Sequence, residues 1–357
     1  MTTRRAFIKS FTAGLGGVVF TGCCLKHSLA YAANGSPKRR EIIIGGKRAK
    51  VVDMHAHCAF PDTAAMMGQQ MEAPTLEMAD DRIRAMDAQG IDMQVLSINP
   101  TWYSLDGDTA IKVCDLQNEK LAGLCAAKPD RFMAFGSLAL QVPEIAVEQL
   151  ETAVKHHGLK GAAIGDNVAG VDFSDQRFNS VWAKAEELGV PLFIHPQGAP
   201  ELSKRLQGNG NLPNVIGNPL GTTIALSHLI FEGTLDRFPR LKILAAHGGG
   251  YLPSYADRSD HACLQSPAKC AAGPVLKKRP TEYLRQIYFD SLIFSSEALR
   301  HLAFQVGKSQ IVLGTDYPFG WTSTAVEHIM TAEGFNNADR LMMLGGTAQQ
   351  LLGLKAA

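Results

Sequence analysis

The stretch Val51-Val52-Asp53-Met54-His55-Ala56-His57-Cys58 sets two histidines two residues apart, behind an aspartate, at the end of an apolar run. Val51–Met54 is short and β-branched, so it reads as a buried strand. Side chains at i and i+2 of a strand share a face. Asp53, His55 and His57 are therefore expected to point together, away from Met54 and Ala56. Three polar side chains converging at a strand end need partners, because burying them unpaired is costly. A divalent metal satisfies two imidazoles at once. A surface turn with two solvated histidines is the plainer reading, and this stretch alone leaves both open. Cys58 faces the opposite side of the strand and reads as packing.

Working outward, strand-like apolar runs recur at Val51–Met54, Met93–Ile98, Phe132–Leu140, Leu159–Ile164, Pro191–Ile194, Leu241–Ala245, Ile287–Phe289 and Ile311–Leu313. Helical patterns separate them, over Ala79–Gln89, Ile111–Lys128, Pro143–His157, Asn179–Leu188, Thr222–Asp236 and Ser295–Gln305. Gly90, Gly158 and Gly189 follow three of these as C-caps. Glu41–Ile44, Gly45-Gly46 and Lys47–Val52 read as a hairpin feeding the first core strand. Eightfold strand–helix alternation predicts an α/β chain folded as a (β/α)8 TIM barrel over residues 41–355. The alternative, a doubly wound open sheet, would need a G-x-G-x-x-G after an early strand, and none is found.

The 357 residues are 46% hydrophobic and 19% charged, an ordinary composition for a chain with ample core. A net charge of +1 points away from nucleic acid and anionic membranes as partners. No apolar run reaches the roughly 18–20 residues that span a bilayer. The first residues differ in kind. Thr3-Arg4-Arg5-Ala6-Phe7-Ile8-Lys9 is a twin-arginine pattern, Phe11–Gly22 is short, Gly-rich and mildly apolar, and Ala30-Tyr31-Ala32 offers a cleavage site. Residues 1–36 therefore read as an export signal for the twin-arginine machinery, with a periplasmic destination. An imperfect lipobox, Phe20-Thr21-Gly22-Cys23, makes lipid anchoring at Cys23 a second option. Of seven cysteines, five remain after cleavage at Ala32. An oxidising compartment permits a bridge between Cys263 and Cys270; two unpaired thiols are the alternative.

Barrel enzymes place their chemistry at the C-terminal ends of strands. Strand one ends in His55-Ala56-His57, strand five in Ile194-His195-Pro196 and strand six in Ala246-His247-Gly248-Gly249-Gly250. Strand seven carries Asp290, and strand eight ends in Gly314-Thr315-Asp316-Tyr317-Pro318. Three imidazoles and one carboxylate suit a zinc-like ion with room for a water. His247 is then left as acid/base, since imidazole is the side chain suited to proton transfer at neutral pH. Singly, His195 reads as a packed core residue and Asp316 or His247 as helix caps. Independent structural choices would not all fall at strand ends.

In order along the chain, DMHAH, LFIHPQG, LKILAAHGGGYLP and VLGTDYPF resemble the amidohydrolase superfamily, and within it the branch of aminocarboxymuconate-semialdehyde decarboxylase. The resemblance runs from Val51 to the C-terminus. It implies a distorted barrel with one divalent metal, zinc first and manganese second. By motif match it makes His55, His57, His195 and Asp316 ligands and His247 the catalytic acid/base. It also matches Arg258 to an arginine that reaches the substrate carboxylate of a neighbouring subunit, which implies a homodimer. Two departures bear on the substrate. The link from Cys58 to Ala79 is short and holds no arginine, and Gln197 stands where that enzyme has a tryptophan. Trp102, in Asn99-Pro100-Thr101-Trp102-Tyr103, is the candidate aromatic pocket wall; a loop aromatic packed on the barrel rim is the alternative. The expected activity is non-oxidative decarboxylation of a small aromatic or unsaturated carboxylic acid. A metal-dependent hydrolase or hydratase using the same site is the alternative.

Overall fold

The barrel closes because each of eight short strands is buried and bonds to two parallel neighbours. The structure is a computed structural model and describes residues 38–69, 80–270, 273 and 275–354. The proposed signal, with Cys23, and the first residue of the expected helix Ala79–Gln89 lie outside the described residues. The strands are β1 (Val52–His57), β2 (Met93–Ser97), β3 (Phe132–Ala134 continued by Gly136–Ser137), β4 (Ala162–Ile164), β5 (Pro191–Ile194), β6 (Lys242–Ala245), β7 (Ile287–Asp290) and β8 (Ile311–Val312). β3 changes partner at Phe135: its first part pairs with β2 and its second with β4. Met54 N–H donates to Leu313 O at 2.8 Å and His57 N–H to Tyr317 O at 2.7 Å, joining the first strand to the last.

The major intervening helices are α1 (Asp80–Gln89), α2 (Gly107–Ala127), α3 (Pro143–Lys155), α4 (Asn179–Leu188), α5 (Asn218–Phe231), α6 (Ala256–Gln265) and α7 (Ser296–Val306). Gly189, at φ +65°, caps α4 as expected. α3 stops at Lys155, so Gly158 lies beyond its cap. The expected helix Thr222–Asp236 is two helices, because Gly233 at φ +73° breaks it before Thr234–Arg237. The hairpin Ile43–Ile44 with Lys47–Arg48 turns on Gly45 and Gly46, both at positive φ, as a two-residue hairpin loop requires.

The barrel interior is filled by Val52, Met54, Val95, Phe135, Ala163, Phe193, Leu244 and Val312, and Ala348, Leu351 and Leu352 pack against them. A barrel of this kind is a packed core and not a pore. β1 also corrects an expectation. Its register against β2 shifts between Asp53 and Ala56. Such a bulge puts an extra residue on one face. Met54 joins the interior cluster, and the His55 ring packs 5.0 Å from that of Phe193 in the same cluster. Asp53 faces the other way, to Gln94 and Thr315. The three polar side chains of the opening stretch therefore do not share a face.

Among the described residues no helix is long and apolar enough to cross a membrane. Cys263 and Cys270 form a disulfide between α6 and the short helix Pro267–Cys270. Cys58 is buried and free.

Candidate metal centre

His55 and His57 are wholly buried on β1, and their outer ring atoms are tied down. His55 Nδ1 lies 2.6 Å from Asp290 Oδ2, so it donates to that carboxylate and turns Nε2 inward. His57 Nδ1 lies 3.1 Å from the Ser97 hydroxyl, which likewise turns its Nε2 inward. The two Nε2 atoms are 3.0 Å apart. Asp316 Oδ1 stands 3.0 Å from His57 Nε2 and 3.3 Å from His55 Nε2. The His195 ring, after β5, lies 4.6 Å from that of His57. His247 Nε2 is 3.7 Å from Asp316 Oδ2. Ligand atoms of His55, His195, His247 and Asp316 all lie within 4.8 Å of one another. The five residues expected at the centre are brought together, with His247 as close as a ligand would be.

Two of them are held in unusual backbone. His247 has φ +54° and Asp316 φ +57°, a region where non-glycine residues cost energy and tend to mark functional sites. Glycines carry the chain away from His247. A Cβ on Gly250 would fall 2.1 Å from Pro219 O, so only glycine fits there. Asp290 stabilises this turn as well as His55. It accepts from the N–H groups of His247 and Gly248, each at 2.9 Å. One carboxylate thus orients a candidate ligand imidazole and the backbone of the candidate acid/base.

Electrostatics fit a cation. Burial pulls the His55 imidazole down, but Asp316 and Asp290 beside it outweigh burial and raise it to about 10. Burial lowers His57 to about 4 and His195 well below the usual imidazole range. Burial alone would raise Asp316, yet His55, His247 and His57 hold its carboxyl well below the carboxylate range. His195 Nδ1 and His247 Nδ1 are buried without a hydrogen-bond partner among the described residues, and Asp316 Oδ1 is buried against the His55 and His57 imidazoles. Neutral imidazoles at His57 and His195, an ionised carboxylate and unpartnered polar atoms gathered in one place suit a divalent ion, which would displace the proton on His55.

The centre opens into a cleft of about 610 Å³. Asn99, Gln197, Asn211, Asn214 and Asn218 line it with carboxamides, and Phe319 and Trp321 supply its aromatic surface. Gln197 is where the sequence placed it, with its side-chain amide donating to Pro100 O. Trp102 is not. It is fully buried and its Nε1–H donates to Leu138 O at 2.8 Å, because the 3-10 turn Trp102–Ser104 directs it into the core. The aromatic wall comes instead from the loop after β8. Arg258 is exposed on α6 and does not line the cleft of its own chain.

The amidohydrolase family profile matches residues 52–354. The chain belongs to the amidohydrolase family. This amidohydrolase is 32% identical over 279 residues to 2-amino-3-carboxymuconate-6-semialdehyde decarboxylase of Dictyostelium discoideum, covering 77% of this chain and 76% of that one. Its fold matches 5-carboxyvanillate decarboxylase from Sphingomonas paucimobilis with a TM-score of 0.79 and 25% identity, over 86% of this chain and all of that one (100%). It matches a dihydroxybenzoic acid decarboxylase from a Polaromonas species with a TM-score of 0.76 and 25% identity, over 87% of this chain and 98% of that one. The Polaromonas structure holds manganese and the inhibitor 2-nitroresorcinol.

Proposed function

We propose that this amidohydrolase is a metal-dependent, non-oxidative carboxy-lyase acting on a small aromatic or unsaturated carboxylic acid. The observation that carries the reading is the convergence of imidazoles and carboxylate at the mouth of the barrel, facing an aromatic-walled cleft. The decarboxylase names of its relatives support it. His55, His57, His195 and Asp316 would hold the ion. When bound, a divalent metal supplies Lewis-acid polarisation of a substrate oxygen. His247 lines the cleft beside this site. It delivers the proton that replaces the carboxylate: the carbon–carboxylate bond breaks, its electron pair stays on the ring or chain carbon, and the proton adds there. Phe319 and Trp321 give that carbon a water-poor wall. Gln197 and the cleft asparagines orient polar substituents. A nitrogen-rich donor set favours zinc by intrinsic affinity, and the Polaromonas relative supports manganese.

Arg258 enters through association. In a homodimer its exposed guanidinium would reach a substrate carboxylate in the second copy's cleft, where it can grip both oxygens. Export through the twin-arginine machinery to the periplasm is proposed for residues 1–36, and the Cys263–Cys270 bridge suits an oxidising compartment. Replacing Arg4 and Arg5 with Lys should keep the chain in the cytoplasm; recovery of that variant from the periplasm would sink the export reading.

The deciding experiment is CO2 release from a panel of hydroxylated benzoates and dienoic acids, run with the chain reconstituted in turn with zinc and manganese. Metal-dependent CO2 release from one panel member is expected. Cleavage of a lactone or amide without CO2 release would replace the proposal with the hydrolase reading.

A further inference from the structure

Arg82 lies on α1 and is 1% exposed, one of the largest fully buried side chains in the molecule. Its contacts are specific. Nη2 donates to the backbone carbonyl of His57. Nη1 donates to Gln94 Oε1 at 3.1 Å. The guanidinium sits over the Tyr317 ring, 4.6 Å from its centroid. Burying a guanidinium against neutral groups is expensive, and an apolar side chain would dock α1 at lower cost. The contacts explain the arrangement, because two of them fall on the metal-donor segments after β1 and β8, at His57 and at Tyr317 beside Asp316.

Gln94 passes the interaction on. It stands opposite Asp53 in the β1–β2 ladder, and its Nε2 donates to Asp53 Oδ2 at 2.9 Å. Asp53 also accepts from Thr315 Oγ1 at 2.6 Å, Thr315 N–H at 3.1 Å and His55 N–H at 3.2 Å. Thr315 Oγ1 in turn accepts from Tyr317 N–H at 3.1 Å. Thr315 and Tyr317 flank Asp316, whose positive φ needs support from its surroundings. The bulge in β1 is what turns Asp53 to this outer side of the barrel wall while its histidine neighbours face inward.

We propose that Arg82 is a positioning residue for the metal centre, acting through Gln94 and Asp53. It clamps the His55–His57 segment to the Thr315–Tyr317 segment from behind, so that His57 and Asp316 stay converged. It touches neither ion nor substrate, and the inference rests on the metal-centre reading above.

Three variants test it, Arg82→Ala serving for rescue. Arg82→Met keeps an unbranched apolar stem and removes every donor. Arg82→Lys keeps the charge without the planar fork. The readouts are manganese and cobalt affinity by chelator competition, the visible absorption of the cobalt-loaded protein, and thermal melting of the metal-free chain. Arg82→Met and Arg82→Lys should each bind about 10–100-fold more weakly, the magnitude typical of supporting residues around a metal, with altered cobalt bands. Added guanidinium ion should partly restore affinity to Arg82→Ala. Should Arg82→Met fail to fold, Arg82→Lys carries the test. A variant that melts earlier but binds with wild-type affinity and an unchanged cobalt spectrum would overturn the clamp and leave Arg82 a packing residue. A wild-type chain that takes up neither metal would overturn the centre itself, and the clamp with it.

Discussion

At the N-terminal end of the barrel, three arginines close on two aspartates; at the C-terminal end, four histidines and an aspartate face one another with lone pairs unused. In the first cluster Arg39 bonds Asp87 at 3.3 Å and Asp92 at 3.2 Å, Arg48 bonds Asp92 at 2.5 Å, and Arg131 bonds Asp87 at 2.9 Å. The other Asp92 oxygen accepts from Val51 N–H at 2.8 Å. Opposite charges are matched there, and the acceptors are used. In the second cluster two imidazole nitrogens, His195 Nδ1 and His247 Nδ1, are buried without partners among the described residues, and Asp316 Oδ1 meets only the imidazoles of His55 and His57. Both clusters pay for desolvation, but only one settles the account within the protein. The open one asks for something the chain does not contain. That separates a fastening from a site more reliably than burial or charge alone.

The largest effect that tests this contrast belongs to His247. His247→Asn should lower kcat by about 10²–10⁴-fold, the usual worth of a positioned acid/base, while metal content stays at the wild-type level. Elemental analysis beside steady-state kinetics checks it. The test is sharp because His247 lies close enough to be a ligand. Loss of metal together with activity would move His247 from acid/base to ligand and change which donors are counted as open.

Next comes Asp290, which ties the open cluster to its surroundings through His55 Nδ1 and the backbone of His247 and Gly248. Asp290→Asn removes the anionic acceptor of His55 Nδ1–H and should weaken metal binding about 10–100-fold. The same change has a pH signature. In the metal-free chain the proton on His55 persists up to about 10, because the two carboxylates outweigh burial. A metal must displace that proton, so affinity should rise with pH, by about tenfold per unit for one proton, up to that value. Removing one carboxylate lowers the imidazole's hold on its proton, so the slope should end at lower pH in Asp290→Asn. Calorimetric titration in buffers of different ionisation enthalpy counts the protons released. A wild-type affinity flat between pH 6.5 and 9 would mean that His55 is not displaced.

Much of this was legible in the chain because barrel chemistry gathers where strands end. His55, His57, His195, His247 and Asp316 could be read from four short motifs, since each motif stands at the close of an apolar run. What could not be read depends on geometry without a period. The bulge that sends Asp53 outward breaks the two-residue alternation on which its placement relied. Trp102 and Trp321 look alike as loop aromatics. One is turned inward by a 3-10 turn to bond Leu138 O, and the other lines the cleft from a loop with no repeating pattern. Asp290 was visible as a strand-end carboxylate, but its role rests on a partner 235 positions away. Arg82 reads as an ordinary helix arginine until its contacts with His57 and Gln94 are seen.

The smallest effect on catalysis should come from the closed cluster, and there the comparison is most exposed to failure. Arg131 joins Asp87 and also donates to the backbone carbonyls of Ile91 and Asp92, fastening β3 to the start of β2. Its side chain is 7% exposed, so losing it takes the donor from the Ile91 and Asp92 carbonyls and leaves Asp87 to Arg39. Arg131→Met should cost about 1–3 kcal/mol of stability, as leaving buried acceptors without their donor does. Turnover per folded molecule and metal content should stay at wild-type values, because nothing in this cluster touches the cleft. Urea unfolding and kinetics normalised to the folded fraction separate the two quantities. If turnover falls at equal folded fraction, strain is passing along the strands from one rim to the other. The fastening and the site would then be parts of a single device, and burial with matched charge would no longer mark the inert end of the barrel.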